Sequence, residues 1–150
     1  MELQNLITND TILIGLNVSN KEECLYKLVE SLYKAGFVFD KKEYFDAVLS
    51  REKSGTTGIG FGFAIPHGKS KGVQKVGLAF ARLDKPVDWQ SLDGKPVEAV
   101  FMIAVPEESA GNEHLKILSE LARKLMDDKF RNEVLSASSA SQVVEILGKL

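Results

Sequence analysis

Only two histidines occur in this 150-residue chain, and both have neighbours that bear on reactivity. His67 stands in Ala64-Ile65-Pro66-His67-Gly68-Lys69-Ser70, just after the polar, glycine-punctuated stretch Ser54-Gly55-Thr56-Thr57-Gly58-Ile59-Gly60. Imidazole is nucleophilic near neutral pH without a strong base, so it can accept a group covalently. Pro66 restricts its own φ and keeps Ile65 extended, which holds His67 in one direction. Gly68 has no Cβ and permits close approach of a phosphate or a partner's backbone. Successive N–H groups from Gly68 to Ser70 are candidates for an anion-binding concavity. A loop histidine after proline is also compatible with an incidental exposed residue, and the local residues leave both readings open.

His114 lies in Glu113-His114-Leu115 at the expected start of an amphipathic helix. A neutral imidazole is favoured there, because the helix dipole opposes added positive charge, and it retains one N–H for a phosphoryl oxygen. The plain alternative is a partly exposed first-turn residue. Arg51 closes an expected helix just ahead of the glycine loop, where its guanidinium fork suits phosphoryl oxygens or merely caps a helix end.

Other chemistries fit less well. Gly58-x-Gly60-x-Gly62 lacks the G-x-G-x-x-G spacing of dinucleotide sites, and a strand follows it rather than a helix. Gly68-Lys69-Ser70 resembles the end of a phosphate loop, but the motif's first glycine would fall on Phe63. The histidines lack zinc-site spacing, and no G-x-S-x-G nucleophile elbow occurs. The single cysteine, Cys24, forms no internal disulfide and no C-x-x-C pair. A net charge of −2 gives no basic footprint for nucleic acid. The N-terminus lacks a signal-peptide pattern, and no apolar run reaches the ~18 residues of a membrane helix. A cytoplasmic location without direct membrane insertion is the simplest expectation.

The elements that must position these residues follow from periodicity. A β-branched run at 11–18 predicts a strand. Ser19 or Asn20 then caps a helix over 21–34 with Leu25, Leu28, Val29 and Leu32 on one face. Gly36 suits the position after its C-terminus. Asp40 and Glu43 form a capping-box pattern for a second helix ending near 51–52, with Gly55 as breaker. Strands are expected at 61–65 and 76–83, a brief extended piece at 87–89, and a tight turn at Asp93-Gly94. The apolar run 99–105 reads as a central strand buried on both faces and stopped by Pro106. Three helices close the chain: one after Gly111-Asn112 with Leu115, Leu118, Leu121, Ala122 and Leu125, one from Asp127-Asp128, and one capped by Ser139 or Ser141. The pattern predicts one domain over 1–150, an α/β sandwich with a mixed β-sheet flanked by α-helices.

Arg51-Glu52, Thr56-Thr57-Gly58-Ile59-Gly60 and Ala64-Ile65-Pro66-His67-Gly68 together resemble the signature of sugar phosphotransferase system enzyme IIA of the fructose–mannitol type. Val87-Asp88-Trp89, Ser91-Leu92-Asp93-Gly94, 101–106 and Glu113-His114-Leu115 continue the resemblance in order, with wording closest to the fructose-type branch. The resemblance implies a phosphocarrier. On this resemblance, His67 would take a phosphoryl group from phosphorylated HPr and pass it to a cysteine of enzyme IIB, which phosphorylates sugar entering through the membrane component IIC. It also implies that Arg51 and His114 assist His67, and that neither metal nor other cofactor is needed. Thr56, Thr57, Gly68 and Ser70 are further candidates for positioning the phosphoryl group. Phe61 and Phe63 belong either to a docking surface or to the core. A regulatory, nitrogen-related enzyme IIA, which binds targets according to its phosphorylation state, is the alternative function.

Overall fold

The computed structural model describes residues 2–108 and 113–149, the latter span without the side chains of residues 113 and 114. After two short 3-10 turns come β1 (Ile12–Leu16), α1 (Lys21–Lys34), α2 (Lys41–Ser54), β2 (Gly58–Gly60), β3 (Phe63–Ala64) and β4 (His67–Ser70). The remainder is β5 (Gly77–Val87), β6 (Val97–Pro106), α3 (Glu113–Leu125), α4 (Asp128–Ser136) and α5 (Ala140–Gly148). The strands form one mixed sheet in the order β1-β5-β6-β3-β2, with β4 paired to β6 beyond β3. The β1–β5, β3–β6 and β4–β6 pairs are parallel, whereas β5–β6 and β2–β3 are antiparallel.

Residue alternation along β6 accounts for the layers. Ala99, Phe101, Ile103 and Val105 join a core containing Ile117, Leu121 and Leu125 of α3, Phe130 and Val134 of α4, and Val143 and Leu147 of α5. Val100, Met102 and Ala104 join the opposite core with Leu25, Leu28 and Leu32 of α1 and Tyr44 and Val48 of α2. All seven residues from 99 to 105 are at most 1% exposed, so the apolar run is indeed buried on both faces. Small residues at 64, 79, 81 and 104 face α1 and α2. Phe63, Phe80 and Phe101 fill the other side, with the Phe80 and Phe101 ring centroids 4.7 Å apart.

The helix starts follow the capping chemistry. Asn20 Oδ1 accepts from Glu23 N at 2.9 Å, Asp40 Oδ1 from Glu43 N at 3.2 Å, and Ser139 Oγ from Gln142 N at 3.2 Å. Gly36 follows α1 with φ +86°, and Gly94 takes φ +74° in the expected turn. The second helix runs on to Ser54, a few residues past the expected end, and stops at the expected breaker Gly55. The expected extended piece at 87–89 is partly the end of the long β5. The helix expected after Gly111-Asn112 is described from Glu113; its first signal falls outside the described residues.

The expected single strand over 61–65 is instead a two-stranded ribbon. β2 turns back through Phe61 and Gly62, with φ of +60° and +83°, into β3. Nor does the strand end at Pro66-His67-Gly68. Phe63 pairs with Ala99, Ala64 with Val100, and His67 with Ile103, so the register along β6 is unchanged across the interruption. Pro66 lacks an N–H but its carbonyl still accepts from Ile103 N at 3.0 Å. His67 is therefore the first residue of a resumed strand, held by a sheet rather than by a loop.

Candidate active site

His67 pairs with Ile103, which faces the α3 layer, so parallel register puts the imidazole on that face. It lines a cleft of ≈ 290 Å³ together with Arg51, Thr56, Thr57, Ile59, Ile65 and Leu118, Ser119 and Ala122 of α3. The half-buried ring has its Nδ1 3.0 Å from the carbonyl oxygen of Ile65. A carbonyl only accepts, so Nδ1 carries the proton, and in the neutral ring the in-plane lone pair then falls on Nε2. The main chain thus sets the tautomer of the neutral ring.

Arg51, near the end of α2, donates from Nη1 to Gly55 O at 2.7 Å and so ties the helix end to the loop that follows. Thr56 Oγ1 donates to Trp89 O at 2.7 Å and accepts from Gly58 N at 3.1 Å. Thr57 is buried, and both its donors reach Glu52: Oγ1 to Oε1 at 2.6 Å and N to Oε2 at 2.9 Å. Trp89 Nε1 donates to Thr57 Oγ1 at 3.1 Å, and Lys21 Nζ bridges to Glu52 Oε2 at 3.1 Å. The two threonine hydroxyl protons are thus spent inside the fold, on Trp89 and Glu52, while both residues still form part of the cleft wall.

Gly68 and Ser70 lie elsewhere. Gly68 pairs with Ala104 and faces α2, where a Cβ would come within 3.1 Å of Val48 Cγ2 and 3.2 Å of Tyr44 Cε1. Its missing side chain accommodates a helix rather than a phosphate. Ser70, two residues on, shares that face; it is buried and its Oγ accepts from Gly72 N at 2.9 Å. Residues 67–70 are extended, so their amides alternate in direction and do not converge as an anion-binding concavity requires. Tyr44 Oη supports this region by donating to Ile103 O at 2.7 Å, and burial raises its pKa well above the ordinary value.

Position 114 is helical and precedes Leu118 by four residues on α3, but the His114 side chain lies outside the described residues. Phe63 is fully buried and belongs to the core, whereas Phe61 is half exposed at the ribbon tip, stacked 4.1 Å from the Arg131 guanidinium carbon. Burial pushes the Cys24 thiol up to about 12, so it stays protonated and is no nucleophile. Reading the residues by type overlooked Glu52 and Trp89, because a carboxylate one position after an arginine on a helix reads as solvated surface.

A family model described as "Phosphoenolpyruvate-dependent sugar phosphotransferase system, EIIA 2" matches residues 5–149. The chain belongs to this family. As an EIIA-2 domain it is a phosphotransferase component of the fructose–mannitol type. The fructose-specific EIIABC component of Bacillus subtilis strain 168 is 40% identical over 149 residues, 99% of this chain and 23% of that protein. This chain therefore spans about a quarter of that relative's length. Nitrogen regulatory protein IIA-Ntr from Neisseria meningitidis superposes with a TM-score of 0.86 at 35% identity, over 96% of this chain and 97% of that one. Enzyme IIAMTL, in its complex with phosphorylated enzyme IIBMTL from Escherichia coli, gives 0.79 at 28% identity, over 95% and 98%. Among the described residues no helix is long and apolar enough to cross a membrane.

Proposed function

We propose that His67 is the phosphoryl-accepting residue of an EIIA phosphocarrier that serves uptake of a fructose-like sugar. The observation that carries the proposal is the Nδ1 contact to the Ile65 carbonyl, which makes Nε2 the nucleophilic nitrogen of the neutral ring in a cleft that Arg51 also lines. In the first step Nε2 forms a bond to phosphorus of a donor phosphohistidine on HPr. The donor's N–P bond breaks and its electron pair returns to that imidazole. In the second step a cysteine thiolate of enzyme IIB forms the S–P bond, and the N–P pair returns to Nε2. Positive charge on the phosphorylated ring is eased by the Ile65 carbonyl dipole against Nδ1–H.

The transferring group spreads charge over three equatorial oxygens, so alignment and charge stabilisation are what the protein supplies. We assign that task to the Arg51 guanidinium, and to His114 on the family resemblance, with no metal or cofactor. The assisting role first given to Thr56 and Thr57 becomes one of shaping the wall. Residues 1–150 act as one EIIA domain in this scheme, and IIB with its membrane component IIC is the onward partner. The likeness to IIA-Ntr favours one second reading, a regulatory protein whose phosphorylation state selects its binding targets.

The test is incubation with enzyme I, HPr and labelled phosphoenolpyruvate, with and without IIB proteins. Acid-labile label on the wild type, none on His67→Ala, and onward transfer to a IIB are expected. No label on the wild type, or equal label on His67→Ala, would sink the proposal. Labelling without transfer to any IIB favours the regulatory reading.

A further inference from the structure

We infer that Glu52 is a positioning residue for the His67 imidazole, acting through Thr57 and Ile65 from the far side of the cleft wall. The side chain of Glu52 is 6% exposed, yet it holds three donors: Thr57 N, Thr57 Oγ1 and Lys21 Nζ. A carboxylate clamping both the amide and the hydroxyl of one residue leaves that residue little freedom. Thr57 passes the constraint on, since its carbonyl accepts from Ile65 N at 3.0 Å. The Ile65 carbonyl in turn accepts from His67 Nδ1 at 3.0 Å. Pro66 anchors the other end of this short span through its carbonyl on Ile103 N. Between these anchors the Ile65 carbonyl has one direction, and that direction decides which ring nitrogen carries the proton.

The location of Glu52 supports a specific purpose beyond stability. Glu52 is taken out of water while Lys21 stays partly exposed, and the cost of burying the carboxylate offsets much of what the pairing returns, so the pair is a poor device for stability alone. Its return is orientation. Trp89 makes the clamp more exacting, because Thr57 Oγ1 accepts from its indole and must therefore point its own proton at Glu52. The chain of contacts from Lys21 to His67 joins the start of α1, the end of α2, the glycine loop and the resumed strand at one ring nitrogen.

Glu52→Gln keeps the size of the side chain but turns one acceptor oxygen into an amide donor that faces donors. Thr57→Val is a second near-isosteric change that removes the hydroxyl and leaves the amide contact. Nitrogen-15 spectra of the His67 ring, at a pH where it is neutral, read the tautomer directly. Wild type with Nδ1 protonated, and both variants shifted towards a mixture of tautomers, is the expected result. The accompanying rate prediction, slower label uptake from phospho-HPr by about 10- to 100-fold as for outer-shell partners of other reactive groups, rests on the phosphocarrier reading. Identical ring spectra in wild type and both folded variants would overturn the inference, even if labelling slows and wild type labels normally. A wild-type ring protonated on Nε2 would overturn it too. Failure of wild type to take label would strike the phosphocarrier reading instead, and the ring spectra would still decide the role of Glu52.

Discussion

The cleft wall that carries Arg51, Thr56 and Thr57 is held by directional bonds, and the wall supplied by α3 is held by burial. In the first, Glu52, Trp89, Gly55 and Lys21 each meet a named donor or acceptor. In the second, Ile117, Leu121 and Leu125 sink into the α3–α5 core and leave Leu118, Ser119 and Ala122 at the cleft. Hydrogen bonds fix angles as well as distances, whereas apolar contact fixes little beyond proximity. The bonded wall is therefore the one suited to setting a tautomer and aiming a guanidinium. The packed wall is suited to closing the cleft and keeping it apolar.

That contrast breaks if the two walls respond alike to substitution. The largest effect is expected at Arg51: Arg51→Ala slows phosphoryl uptake by about 10²–10³-fold, by analogy with loss of one charge-stabilising donor. Rapid-quench labelling checks it, and Arg51→Lys should recover only part, since an ammonium lacks the fork. On the packed wall, Leu121→Ala should cost about 2–5 kcal/mol of stability through an unfilled cavity, read by urea unfolding. Its labelling rate, measured where the variant is still folded, should stay close to wild type. A rate loss as large as that of Arg51→Ala would erase the distinction.

Gly58→Ala tests the bonded wall by overpacking it. Its Cβ would lie 2.3 Å from Ser91 Oγ and 3.0 Å from Ser91 Cα, so the loop must shift. A loss of about 1–3 kcal/mol is expected, together with slower labelling. The double variant Gly58→Ala with Ser91→Gly should regain part of both. The smallest effect concerns Asp93, whose carboxylate braces the ribbon beside this wall. It accepts from Lys95 N at 3.0 Å and from Phe61 N at 3.2 Å, and these contacts, Lys95 first, lower its pKa below the usual value. A lowered pKa in the folded state stabilises the fold above the ordinary carboxylate range. That contribution disappears as pH falls through the lowered value. Asp93→Asn should thus melt slightly below wild type at neutral pH and converge with it in acid, a trend that melting curves across pH will confirm or refute.

Much of this architecture is written in local residue patterns. Capping side chains at 20, 40 and 139 set the helix starts, because each answers an orphan N–H within three residues of itself. The run at 99–105 declared a doubly buried strand, since no polar side chain interrupts it. The ribbon at 58–64 was not legible, because Gly60 and Gly62 permit both a bend and an extended chain. The resumed strand at His67 was hidden by Pro66, which breaks the ladder of donors without breaking the register.

The sequence by itself determined the chemical inventory: two imidazoles, an arginine ahead of a glycine loop, and the ordered blocks of an EIIA-2 chain. Only the tertiary structure decided which of these share a surface. Strand alternation sends His67 to the α3 side and Gly68 and Ser70 to the α2 side, and alternation has meaning only once β4 is docked in register on β6. The tertiary structure also brought Lys21 and Trp89, 31 and 32 residues away, onto the neighbouring pair Glu52 and Thr57. Hydrogen bonds between residues distant in sequence leave no periodic trace, so the clamp behind His67 emerges only when the chain is folded.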